Sequence, residues 1–166
     1  MHGEVGEATM TAPRTLIGSY LAMVAFRNVD EVERCRVELS RTGWVDADEV
    51  LSAAFRLAIR RCLGPKPGFL TIGKTAVLTS RIFPKGDIAA GDVEKIIRIG
   101  LGQDEEDLKK LRLKNPFLLR MLAFAALIWL HKVPDVETLT IVVQAEEDVF
   151  DVGYSPTLLP GEAGSG

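Results

Sequence analysis

The run Pro116–Leu130, PFLLRMLAFAALIWL, limits what this chain can fold into more than any other stretch. Arg120 is its only charge, and its large apolar residues fall at spacings that cover every side of a helix. A helix apolar all round must be covered all round, by protein or by lipid. A bilayer span takes about 20 apolar residues, whereas shorter runs are typical of core helices. Arg120 breaks an already short run, so the sequence predicts a buried core helix. Its ends are marked as well. Asn115 suits the cap, Pro116 suits the first helical position, and His131, Lys132 and Pro134 close it. The expected fold is mainly α, a single-domain helical bundle around a buried central helix (116–131).

The remaining periodicity supplies the helices that would sheath it. A chain of 166 residues, 47% hydrophobic and 26% charged, has the size and composition of a globular domain with its own core. Apolar residues at helical spacing predict a helix over 13–27. Asp30 and Glu33 have the spacing of a capping box for a second helix stopped by Gly43. Asp46 and Glu49 repeat it for a third that ends at Gly64 and Pro65. Residues 66–73 read as a loop, and 75–83 as a helix ended by Pro84. Asp87 or Asp92 opens a further helix with Val93, Ile96, Ile97 and Leu101 inward. The segment 104–114 places acids first and bases last, as the helix dipole favours. After Pro134, residues 138–143 are β-branched and nearly alternating, and 149–154 form a second short run. Together they predict a C-terminal β-hairpin (138–154), against a single helix through Glu147.

Residues 1–12 and 155–166 lack periodicity and read as flexible tails flanking one domain at 13–154. Cys35 and Cys62 make no Cys-x-x-Cys and read as reduced core thiols of a cytoplasmic protein. Arg14 precedes the apolar run LIGSYLAMVAF, but no small-residue cleavage site follows, so this is not expected to be a secretory signal.

Charge is unevenly distributed. Seven bases and no acid lie between positions 56 and 85, while the rest of the chain holds 13 bases against 23 acids. Such a block attracts phosphate, nucleic acid or an acidic protein surface. The competing reading is a solvated face, or one neutralised by the acids at 104–107 and 146–151. The leading expectation is a non-enzymatic helical interaction or adaptor domain that binds an acidic macromolecule through Arg56, Arg60, Arg61, Lys66, Arg81 and Lys85. A protein partner is favoured over nucleic acid, because aromatic residues hardly interleave with the bases and the net charge is −3. No membrane partner is expected.

Inside the block, Gly68, Gly73, Lys74 and Thr75 match the phosphate-loop pattern G-x-x-x-x-G-K-[ST]. That chemistry uses glycines so that amides can wrap an anion, a lysine for the outer phosphates, and a hydroxyl for magnesium. Nucleotide or phosphate binding is therefore the alternative function. Context opposes it, since a phosphate loop leaves a buried strand and RLAIRRCLGPKP reads as a helix end. A homo-oligomeric assembly is the third reading, motivated by the all-round apolar run. No catalytic residue, cofactor or metal site is expected. His131 ends a helix, where capping explains it. The acids at 104–107 read as a helix start, and no His, Cys or Asp spacing resembles a metal site.

Overall fold

The computed structural model describes residues 12–83, 88–103 and 115–161. Those residues form seven helices and no strand: α1 (Leu16–Phe26), α2 (Val29–Thr42), α3 (Ala47–Leu63), α4 (Phe69–Ile82), α5 (Ala90–Gly100), α6 (Pro116–Leu130) and α7 (Asp135–Asp151). The chain divides into two compact units. The first comprises Met1–Ala54 with Val133–Gly166, and the second Phe55–Lys132.

The first unit is closed by a carboxylate. Glu146, on α7, is 1% exposed. Its oxygens accept from the Arg14 amide at 3.0 Å, the Thr15 amide at 2.8 Å and the Thr15 hydroxyl at 2.5 Å. The same Thr15 hydroxyl oxygen accepts from the Gly18 amide at 2.9 Å and so caps α1. A helix start presents unsatisfied N–H groups and a positive dipole end, and a buried carboxylate answers both. Gly18 makes room for it, since a Cβ there would overlap the carboxylate. Burial pushes the Glu146 carboxyl above its usual range, and the Thr15 and Arg14 hydrogen bonds offset part of that rise.

The predicted hairpin at 138–154 is corrected to one helix, α7. Thr138, Ile141, Val142, Ala145, Glu146 and Val149 are its buried residues, a helical stripe, and α7 packs on α1. The Thr138 and Thr140 hydroxyls donate to carbonyls four residues back, at Pro134 and Val136. Burial on α1 outweighs the weak β propensity of the Thr and Val residues. Beyond α7 the chain returns to the start of α1. Leu16 N–H donates to the Thr157 carbonyl at 2.9 Å, Leu159 N–H donates to Arg14 at 2.8 Å, and Thr15 and Leu158 form an antiparallel bridge. Composition alone, which suggests a tail from 155, does not anticipate these backbone bonds.

The helix starts differ in detail from the capping-box reading. Asn28, not Asp30, caps α2, its side chain accepting from the Glu31 amide. Asp46 precedes α3 in the left-handed region (φ 51°), and its carboxylate accepts from the Ser155 amide at 2.8 Å. Gly43, at φ 103°, ends α2 as expected. Tyr20 and Trp44 meet edge to face with ring centres 5.7 Å apart.

In the second unit, α4, α5 and α6 contact one another. From Leu119 to Ile128 every residue of α6 except Leu122 is buried, Arg120 included. Asn115 caps it, accepting from the Leu118 amide at 3.0 Å. Among the described residues no helix is long and apolar enough to cross a membrane. Val93, Ile96 and Ile97 are the buried residues of α5, which has Asp92 in its first turn. Gly100 lies against Ile59 and Phe55, so closely that a Cβ would come within 2.6 Å of Ile59 Cδ1. Phe83 and Trp129 pack with ring centres 5.6 Å apart. The helix expected over 104–114 and the alternative start at Asp87 lie outside the described residues.

Two measurements check this architecture. Phe124→Ala removes a fully buried ring and is expected to cost about 3–5 kcal/mol in urea-denaturation free energy. For Glu146, the folded chain holds the proton more tightly than the unfolded chain. Its contribution is complete below about pH 4.5 and is lost as pH rises through the raised value. The stability of the protein relative to a Glu146→Gln variant is therefore expected to fall on titrating upward from about pH 4.5.

Candidate interaction surface

Helix α4 has two faces. Ile72, Thr75, Ala76 and Thr79 are buried, at spacings of three and four residues. The two threonines enter the core because their hydroxyls donate to the carbonyls of Thr71 and Thr75, both at 2.8 Å. On the opposite side Leu70, Lys74, Val77 and Arg81 are exposed, following each other at four, three and four residues. They border an open groove of about 530 Å³ to which Phe69, Gly73 and Leu78 also contribute. Leu70 is 82% exposed and Phe69 71%, uncommon values for large apolar side chains. The Arg98 guanidinium lies over the Phe69 ring, 5.6 Å from its centre, and also donates to Glu94 at 3.0 Å.

This geometry decides where the phosphate-loop residues lie. Gly68 precedes α4 as its cap residue, and Ile72 N–H already donates to the Gly68 carbonyl. Gly73 and Lys74 therefore lie a full turn inside a helix, where amides bond along the axis and do not converge on an anion. The expected loop at 66–73 gives way to helix from Phe69, since the buried spacing of Thr75, Ala76 and Thr79 extends back to Ile72. Lys74 faces solvent while Thr75 is 6% exposed with its hydroxyl committed to Thr71. The structure does not bring Gly68, Gly73, Lys74 and Thr75 together around a common point.

The described bases of the 56–85 block share exposure to solvent. Arg56, Arg60 and Arg61 on α3, Lys66 in the bend after it, and Lys74 and Arg81 on α4 are all exposed. Lys85 lies outside the described residues, as do the acids at 104–107. Gly64, in the left-handed region at φ 88°, ends α3 and turns the chain toward Lys66. Arg56, Arg60, Lys66, Lys74 and Arg81 form no ion pair with described residues, whereas Arg34 pairs with Glu31, Arg36 with Glu33, Arg41 with Glu38 and Arg98 with Glu94. Those four are short-range pairs along single helices, of small stabilising value.

Charge also separates by unit. The first unit holds 5 bases and 16 acids in its sequence, the second 15 bases and 7 acids, giving −11 and +8. Periodicity through Leu70, Lys74, Val77 and Arg81 was the available signal for the mixed apolar and basic face. A loop assignment over 66–73 conceals it.

His131 is exposed at the end of α6, where its backbone N–H caps Leu127. Among the described residues no three His, Cys, Asp or Glu side chains gather where a metal ion would sit. Comparison with protein-family models, curated proteins and solved structures finds no match to this chain.

Gly73 gives a direct check on the local structure. A Cβ there meets nothing within 4 Å. Alanine should therefore strengthen the helix by up to about 1 kcal/mol, read as a higher urea midpoint. A phosphate loop would be damaged by the same substitution.

Proposed function

We propose that this chain is a non-enzymatic helical interaction domain whose basic segment, 56–85, binds the acidic surface of another protein. The observation that carries the reading is the exposure of Arg56, Arg60, Arg61, Lys66, Lys74 and Arg81 in a stretch without acids. Exposed lysines and arginines are ordinary singly. A same-sign cluster in a chain of net charge −3 sets up a local field that draws an opposite charge. The apolar side chains at Phe69, Leu70 and Val77 supply what charge alone does not, a surface that gains by leaving water. That combination favours a folded protein partner over nucleic acid, for which stacking aromatics would interleave with the bases.

On this reading α6 is the rigid support of α4, and Cys35 and Cys62, neither of them in a disulfide, suit a reducing, cytoplasmic setting. Nucleotide binding at 68–75 requires α4 to unwind its first turn, and no observation favours that.

The test is charge reversal at Arg60→Glu, Lys74→Glu and Arg81→Glu together. All three positions are exposed, so the variant should melt close to the unmodified chain. Proteins captured by cross-linking on the unmodified chain are expected to be depleted at least about tenfold on the variant. Recovery of the same set on both ends the proposal. Capture of nucleic acid, with affinity falling steeply as salt is added, transfers the surface to the other class of partner.

A further inference from the structure

We infer that the acidic surface taken by the α4 face is that of a second copy of this chain, presented by the C-terminal end of α7. This rests on the reading that α4 binds an acidic protein surface, and it names that surface. Helix α7 contains six acids and no base. Glu146 is consumed by Arg14 and Thr15, but Glu147, Asp148 and Asp151 are exposed. They sit in the last two turns, at the negative end of the helix dipole, with no base in the last turn. Among the described residues none of the three has an ion pair, and the one bond found there joins Asp148 to Gln144. Acids so placed repel one another and the dipole, and an external cation relieves both.

Beside them Val152 is 73% exposed and Tyr154 43%. The end of α7 is thus an apolar spot flanked by negative charge, and the α4 face is an apolar groove flanked by Lys74 and Arg81. At the helical rise per residue the α4 face from Leu70 to Arg81 runs about 16 Å, and the α7 acids from Glu147 to Asp151 engage about 6 Å of it. Gly73 keeps the middle of the groove low, so a facing helix can approach closely. The net charges of the two units, −11 and +8, extend the complementarity beyond these few residues and steer the encounter of two copies. One helix-on-helix contact covers less than the roughly 1,200 Å² of a stable interface. The association is accordingly weak and salt-sensitive, and strengthens if two copies make the contact twice.

Sedimentation velocity of the full chain over a concentration series, at low and high ionic strength, is the test. Its two variants are Lys74→Glu with Arg81→Glu, and Asp148→Lys with Asp151→Lys. All four positions are exposed, and circular dichroism confirms that each variant folds. The unmodified chain is expected to sediment above its 18.2 kDa monomer as concentration rises, and to revert with added salt. Each variant alone should associate at least about tenfold more weakly, since like charges then face each other. An equimolar mixture of the two should associate again, because each inverted face meets its inverted complement.

A chain monomeric throughout the series overturns the inference. So does association that the α7 variant leaves intact. If the α7 variant associates normally while the α4 variant does not, or if a monomeric chain still loses captured proteins on reversal of α4, this inference falls and the function reading stands. If reversal of α4 alters neither association nor capture, both fall.

Discussion

The hydrogen bonds made by Glu146 decide what this chain is able to become. A carboxylate at 1% exposure is costly unless every lone pair is answered, and here the answering groups are the Arg14 and Thr15 amides and the Thr15 hydroxyl. Those partners lie 131 and 132 positions away along the chain. Once formed, the contact holds α7 against α1 and places the segment near Leu158 beside Thr15. The first compact unit exists as a unit because early and late stretches of the chain are tied at this point. Gly18 belongs to the same arrangement, since only a residue without a Cβ leaves the carboxylate its place.

The second unit is organised by a different force. There α6 is buried from Leu119 to Ile128, Leu122 excepted, and contacts α4 and α5 within its unit. Apolar burial is non-directional, so α4 can spend one side on the core and leave the other unoccupied. Ile72, Ala76 and the self-bonded threonines make that inner side. Leu70, Lys74, Val77 and Arg81 are then left facing water by geometry. The exposed groove follows from the same 3.6-residue period that buries the opposite face.

Charge adds a second asymmetry to the structural one. Bases gather in the unit built around α6 and acids in the unit closed by Glu146. The pairs Arg34–Glu31, Arg36–Glu33, Arg41–Glu38 and Arg98–Glu94 each run along a single helix and leave the difference between the units unchanged. In the proposed function, steering and register come from charge and affinity from the apolar centre.

Local pattern was sufficient for much of the fold. The all-apolar run and its Asn-Pro start determined α6, Gly43 and Gly64 determined the ends of α2 and α3, and the apolar spacing of Val93, Ile96 and Ile97 determined α5. These are short-range effects of dihedral preference, capping and burial, which a linear string carries intact. Tertiary contact decided the rest. Thr138, Ile141 and Val142 are helical because α1 offers them a buried face, which outweighs their β propensity. Glu146 looks like one more acid in a charged run until Thr15 is found beside it. The phosphate-loop pattern likewise vanishes once Thr75 is seen to face the core, while the free face of α4 emerges only when its buried side is known. Each of these depends on which distant residue lies opposite, and spacing along the chain does not encode that.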